Sequence, residues 1–471
     1  MMKKYRRFFC AGLSLLMLGS LMPCAASAEE ELSADETAKL LEDAYIFTLP
    51  LMMVDATVTA ATNTVEVTEQ KAPHNQFIHA AALATAEFKN VVTPNVDTIY
   101  SQIMLDLSKD AVILEMPRTE RFCTAQLIDA YTNCVDVLDA STFEGESGCF
   151  ILTGPSFDGG IPDGMTQIKY PSSLGWIIIR TICFDKADEA AVHEIQSRMS
   201  VYTLSQFENG SVGESVRGSY DEKNDFIPSE WVMGLPMDEY FSRANALMAE
   251  NPPTAEDAAM MAELAKINVG PGMSFDGGIF GAGAEALWQK VTGGVLASTS
   301  QSAMRFFTRS GNWSYMGEPI AEFGTEYDYR AFIAIFGLGA NPVSVAVYPK
   351  TDVDSDGGRL HGENSYVLHF EKDGLPPTEG YGFWSVTAYT SKDNFLIDNE
   401  IDRYCINNRS DVVYNEDGSL DILIQAEKPE GSEANWLPVT EEEFHLVMRI
   451  YMPAESVIDN TWATPVLSKA E

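Results

Sequence analysis

The sequence predicts an α+β protein: two antiparallel β segments, an N-terminal helix and a helical insert. Three observations carry this. Two stretches, from Val91 to Cys183 and from about Gly324 to Ala470, hold short apolar and β-branched runs separated by Pro, Gly, Asn and Asp. Residues 33–62 and 186–310 instead place apolar residues at helical spacing. The 471 residues are 45% hydrophobic and 21% charged, the balance of a folded globular chain.

The elements follow in order. Ser33 and Glu36 form a capping box. Leu40, Leu41, Ala44, Tyr45, Phe47 and Thr48 then recur at helical spacing, and Pro50 should kink or break the run. A polar loop and a short helix near Phe77–Ala84 come next. Strands are expected at Thr98–Leu107, Ala111–Met116, Cys123–Ile128, Cys149–Leu152, Thr166–Ile168 and Trp176–Cys183. That texture reads as an antiparallel sandwich or barrel. Helices are expected at Lys186–Phe207, Ser229–Ala249 and Ala255–Ile267, with Thr254 capping the last. The glycine-rich loop Gly270–Gly283 matches neither a P-loop nor a dinucleotide fingerprint, and a further helix starts at Ala284. The clearest later strands are Val343–Tyr348, Tyr366–Phe370, Gly382–Tyr389, Leu420–Ala426 and His445–Tyr451.

Charge narrows the partners. Lys and Arg number 31 against 69 Asp and Glu, a formal −38. Such a chain repels phosphate backbones and anionic membrane surfaces, so nucleic acid is not an expected partner. Residues 1–28 follow the plan of a secretory signal peptide: Lys3, Lys4, Arg6 and Arg7, an apolar run from Phe8 to Met22, then Ala26-Ser27-Ala28. Cleavage near Ala28 would leave 27 basic and 69 acidic residues, since four of the 31 cations go with the leader. A lipid anchor at Cys24 fits poorly behind Pro23. No other stretch looks long and apolar enough to span a bilayer, so a protein secreted or held outside the cell envelope is expected.

Cys123, Cys134, Cys149, Cys183 and Cys405 follow the leader. One disulfide among the four between 123 and 183 competes with the simpler reading of small buried strand residues. The six histidines form no zinc-spaced cluster, and there is no G-x-S-x-G or H-E-x-x-H. Asp352, Asp354, Asp356, Gly357 and Glu363 match the EF-hand loop pattern, whose carboxylates converge on Ca2+. The flanks are strand-like, which favours a solvated hairpin loop.

Two polar-aromatic clusters are ligand candidates. The first runs from Thr93 through Asn95, Asp97 and Tyr100, then takes in Gln126, Asp129, Tyr131, Thr132, Asn133 and Arg180. The second holds Phe383, Trp384, Ser385, Asp398, Asn399, Arg403, Tyr404, Asn435 and Trp436. Aromatic faces with Asn, Asp and Arg suit sugars and small ligands. The competing reading is that Asn and Asp build turns while aromatics fill the core.

These segments resemble a paired bacterial module, domains of unknown function 1254 and 1214. The first resemblance rests on TPNVDTIYS at 93–101, QLIDAYTN at 126–133, GP at 154–155 and PSSLGWIIIRT at 171–181. The second rests on YDYRAFIAIFGLGAN at 327–341, HGENSYVLHF at 361–370, FWSVTAYT at 383–390, FLIDNEIDRYCINNR at 395–409, YNEDGSLDILIQ at 414–425, EANWLP at 433–438 and FHLVMRIYMP at 444–453. The resemblance implies two β-sandwiches of jelly-roll type. It implies no reaction, cofactor or catalytic residue. It also makes Asp354–Gly357 a family turn, which weakens the calcium reading.

The expected organisation is a signal peptide (1–28), an N-terminal helical segment (29–66), a first β-sandwich (67–185), a helical insert (186–323) and a second β-sandwich (324–471). The expected function is binding of a small molecule or carbohydrate at the cleft between the sandwiches. The alternatives are an exported hydrolase using Asp97, Asp129 or Arg180, and a self-assembling homo-oligomeric jelly-roll protein.

Overall fold

The computed structural model describes residues 32–89, 91–430 and 433–470. The expected leader lies outside them.

Helix α1 (Ala34–Thr62) opens on the expected capping box, in which Ser33 and Glu36 exchange side-chain and backbone hydrogen bonds. It does not break at Pro50. Proline removes one i→i−4 hydrogen bond, but packing on every side holds the helix, and Leu49, Pro50, Leu51 and Met52 are all buried. The unbroken run is long and apolar enough to cross a membrane by length and composition. That corrects the expectation that nothing beyond the leader is. In this fold 78% of its apolar window is buried inside the protein, as in a globular core helix.

The first sandwich uses β1 (Phe77–His79), β2 (Thr98–Asp106), β3 (Val112–Pro117), β4 (Cys123–Asp129), β5 (Cys134–Asp139), β6 (Ser147–Thr153), β7 (Thr166–Lys169), β8 (Leu174–Ile182) and β9 (Ser200–Thr203). Its sheets run β1-β2-β8-β4-β5 and β7-β6-β3-β9. Ile103, Leu105, Ala125, Leu127, Ile177 and Ile179 of one sheet share a core with Val112, Leu114, Phe150 and Leu152 of the other. The short helix expected near Phe77 is strand β1, because Phe77–His79 pairs with Ser101–Ile103. The helix expected over Lys186–Phe207 divides into α2 (Glu189–Ser197), β9 and α3 (Leu204–Asn209). Val201, Tyr202 and Thr203 are strand formers, and β9 pairs with β3.

A helical layer follows: α4 (Pro228–Gly234), α5 (Met237–Glu250), α6 (Ala258–Leu264) and α7 (Ala284–Ala303). The first two were expected as one helix, and the backbone turns extended at Leu235 and Pro236 between them. Helix α8 (Tyr327–Phe336) lies where strand texture was expected. Its Ala331 and Ala334 join α1, α5 and α7 in one core.

The second sandwich uses β10 (Phe307–Ser310), β11 (Trp313–Met316), β12 (Ala346–Val347), β13 (Lys350–Thr351), β14 (Tyr366–Phe370), β15 (Thr378–Thr390), β16 (Cys405–Asn407), β17 (Leu420–Gln425), β18 (Trp436–Pro438), β19 (Phe444–Pro453) and β20 (Val466–Lys469). Its sheets run β10-β11-β13-β19-β15-β16, with β12 also on β19, and β18-β17-β14-β20. Trp384, Val386, Leu446, Met448 and Ile450 meet Tyr366, Leu368, Ile422 and Ile424 in its core. Pairing is antiparallel except for β6 with β7 and β17 with β18, which are parallel. All five cysteines beyond the leader are free thiols.

Two glycines give opposite expectations. A Cβ on Gly362 would overlap the Thr440 carbonyl oxygen, so Gly362→Ala should cost roughly 1–3 kcal/mol or more. Gly293 sits exposed in α7 with open space around it, so Gly293→Ala should stabilise by about 0.5–1 kcal/mol. Urea midpoints read both.

Candidate functional site

Side chains alternate across a strand. The strand faces that do not enter the two cores therefore carry a second set of residues. On β2, β4 and β8 these include Tyr100 and Arg180, which pair directly, and Gln126, two positions along the same face. On β15 and β19 they are Phe383, Ser385, Thr387 and Tyr389 with Val447, Arg449 and Tyr451. The two faces meet in a seam between the sandwiches.

The β2 entry turn supplies the first contacts. The Asn95 carbonyl oxygen accepts from the Asp97 and Thr98 amides, at 2.7 and 3.1 Å. Its amide donates to the Tyr451 hydroxyl at 2.6 Å and to Tyr100 at 3.2 Å. Asp97 is fully buried. Ser385 donates to it at 2.5 Å and Arg409 at 3.3 Å. Arg180 donates to Gln126 at 2.8 Å, Asn341 at 2.9 Å and the Gly339 carbonyl at 3.0 Å. Asn341 in turn donates to the Tyr348 hydroxyl at 2.9 Å. Arg449 donates to Thr387 at 3.2 Å and to the Thr93 carbonyl at 3.1 Å. Phe122, Ile182, Phe383 and Tyr451 form an apolar patch beside these groups.

The other sequence candidates sit elsewhere. Asp129, Tyr131 and Asn133 form the turn after β4, at the opposite end of that strand from the seam. The Asp129 carboxylate accepts from the Tyr131 and Asn133 amides, and burial raises its pKa against those bonds. Trp384 faces the sandwich core beside Phe370, with ring centres 5.3 Å apart. Asn399 bonds within its own loop and orders the Arg403 amide. Arg403 braces the Glu433 and Trp436 carbonyls, and the Trp436 indole donates to the Gln425 carbonyl. Asp398 is exposed. In the acidic loop, Asp352 pairs with Arg359. Asp354 accepts from the Asp356 and Gly358 amides, and Glu363 lies 3.8 Å from His361. Among the described residues no group of three or more metal-ligating side chains is assembled.

Ser385 belongs to the second sequence cluster and reaches the seam, whereas sequence reasoning missed Arg409, Arg449, Tyr348 and Tyr451. Arg449 gave a signal: one arginine inside the apolar run FHLVMRIYMP.

Electrostatics define what the seam can do. Burial opposes the charge of Arg180 and Arg449. Surrounding phenol oxygens outweigh it, aided at Arg449 by Asp97, and both stay charged. Burial pushes the Cys405 thiol and the Tyr389 phenol up to about 12, so neither is a ready nucleophile at neutral pH. His445 is 2% exposed and stacks on Tyr389. Burial, with nearby Lys350, lowers its pKa to about 3. Among the described residues no imidazole hydrogen-bonds to Asp97 or Ser385. Both domains contribute fixed donors and acceptors to the seam.

Two sheet pairs, a buried helical layer and a polar seam define a two-sandwich α+β protein. The family model "Protein of unknown function (DUF1254)" matches residues 74–203. The model "Protein of unknown function (DUF1214)" matches residues 345–455. The chain belongs to the proteins that carry these two domains in this order. Among solved structures, the VPA0106 protein from Vibrio parahaemolyticus is 18% identical with a TM-score of 0.69, over 92% of this chain and 100% of that one. It shares the fold. An uncharacterized protein from Burkholderia cenocepacia is 11% identical with a TM-score of 0.43, over 93% and 94% of the two chains. No curated protein matches the chain.

His445 sets an acid limb. The unfolded chain takes up a proton near pH 6.5 that the folded site refuses until about 3. Stability should therefore fall as pH drops through that window, by roughly 1.4 kcal/mol per unit from this group. His445→Gln should flatten the limb in urea melts at pH 7 and 4.5. An unchanged slope would remove His445 as its source.

Proposed function

We propose that the protein is exported and binds a small molecule in the seam between its two β domains. One observation carries the reading. Asn95, Tyr100 and Arg180 of the first domain join Asn341, Tyr348 and Tyr451 in a polar network whose Asn95, Tyr100 and Tyr348 are only half-buried. A ligand arriving there would meet preformed polar groups from both domains.

Two surface clefts lie away from the seam. One, of about 620 Å³, is lined by Leu40, Met260, Tyr327 and mixed charges. The other, of about 400 Å³, is lined by Asp55, His74, Asp106 and Glu250. Much of their charge is already matched, as in Lys39–Asp43, Lys266–Glu263 and Asp55–Arg243. Binding is favoured over hydrolysis because Asp97 is taken by Ser385 and Arg409, and Asp129 by its own turn.

A thermal-shift panel on residues 29–471 tests the site, using sugars, small carboxylic acids and esters. At a hundred times Kd a ligand stabilises by about 2.7 kcal/mol. At least one compound should raise Tm, and Asn95→Ala should abolish that rise in a folded protein. A rise retained in Asn95→Ala, or none with any compound, overturns the reading. Expressed with residues 1–28, the protein should be recovered outside the cytoplasm with Glu29 as its first residue. An intact leader on cytoplasmic protein would contradict export.

A further inference from the structure

The seam holds three guanidiniums, those of Arg180, Arg409 and Arg449, and the buried carboxylate of Asp97, which pairs with Arg409 and favours the charge of Arg449. Arg180 and Arg449 donate to amide oxygens, backbone carbonyls and one hydroxyl. The Asp97 carboxylate pairs with Arg409, whose side chain is 17% exposed, while Asp97 is not exposed at all. Arg180 and Arg449 are 6% and 4% exposed. Their hydrogen-bond partners are neutral, and neutral dipoles compensate a buried guanidinium less completely than an anion in direct contact does. The excess stands out in a chain of formal charge −38.

The neutral groups point the same way. A phenol has one proton to donate and lone pairs to accept with. The Tyr100 and Tyr451 hydroxyls accept from Asn95, and Tyr348 accepts from Asn341. Each therefore keeps its proton for an incoming acceptor. The Arg180 guanidinium lies over the Tyr100 ring, 5.5 Å from its centre. Tyr348 and Tyr451 meet edge to face at 6.3 Å. Arg409 has a second donor: its buried Nε has no partner among the described residues. It sits between the exposed Phe184 ring and the buried Phe383 ring, at 5.7 and 4.7 Å. The set is rich in donors and positive charge.

We infer that the seam's ligand carries a compact oxyanion, a carboxylate or a phosphate, held by Arg180 and Arg449 with the Tyr100, Tyr348 and Tyr451 hydroxyls. This rests on the seam-binding reading above and adds the ligand's chemical class. The anion would offset the excess guanidinium charge, and charge-assisted hydrogen bonds are the strong ones.

The test titrates residues 29–471 with benzoate, phenyl phosphate and neutral benzamide, by calorimetry and thermal shift. Benzoate or phenyl phosphate should bind and raise Tm, and benzamide should not. The arm that binds names the oxyanion. Arg180→Gln and Arg449→Gln should each weaken that ligand about tenfold to a hundredfold. Tyr348→Phe, which keeps the ring, should weaken it less and guards against variants that fail to fold. Raising salt from 50 to 500 mM should weaken the anion. If benzamide or an uncharged sugar binds as well as the acids and Asn95→Ala abolishes it, the seam reading stands and the oxyanion inference falls. If an acid binds equally to wild type, Arg180→Gln, Arg449→Gln and Tyr348→Phe, the seam is not its site. If none of the three probes binds, the oxyanion inference is overturned.

Discussion

Asp97 directly precedes strand β2 of the first domain, yet its buried carboxylate takes its hydrogen bonds from Ser385, Cys405 and Arg409 of the second, and the docking of the sandwiches depends on that contact. Asn95 shapes the turn that presents it. Ser385 on β15 and Arg409 beyond β16 meet it from the second domain. Removing one partner of such a group leaves an uncompensated buried charge, typically worth about 3–5 kcal/mol. Sliding the domains by one strand residue would offer Trp384 or Val386 in place of Ser385. The contact therefore specifies register as well as strength.

The helical layer handles a buried cation in another way. Arg330 of α8 is 2% exposed, and its Nε and one terminal nitrogen have no hydrogen-bond partner among the described residues. Its guanidinium lies 5.2–5.4 Å from the ring centres of Phe47, Tyr131 and Tyr327, and the nearby Asp257 and Asp129 carboxylates favour its charge against burial. Aromatic faces stabilise a desolvated cation by about 2 kcal/mol or more. These rings come from α1, the turn after β4, and α8 itself. Tyr131, which the sequence offers as a ligand contact, thus helps join the first sandwich to the helices, and its hydroxyl fixes the Asn251 carbonyl.

What was legible in the sequence was local. The Ser33–Glu36 box, the Tyr366–Phe370 strand and the alternation in Gly382–Tyr389 all read from neighbours within a few positions. Short strands such as β1 and β9 did not, because three or four residues take strand geometry only where a partner pairs with them. The site was half legible. Asn95, Asp97, Tyr100 and Arg180 were visible as a polar-aromatic set. Their partners were not, since Asn95 and Tyr451 lie 356 positions apart. Trp384 shows the limit: it was chosen for its ring, yet its neighbour Ser385 faces the seam. A period of two makes a one-residue choice decide the face.

Helix α1 has a consequence for the order of events after synthesis. Val54 and Val58 rest on Ile78, Met104, Ile128 and Trp176 of the first sandwich, but much of the remaining cover comes from α4, α5, α7 and α8, which begin about two hundred residues or more downstream. Such distant contacts close slowly. Until then the first half of this 29-residue helix lacks most of its cover on the nascent chain. That interval is when the segment is most open to aggregation or to a holding chaperone. The same residues that anchor the finished core make its assembly a race, and α8 must arrive before a stranger does.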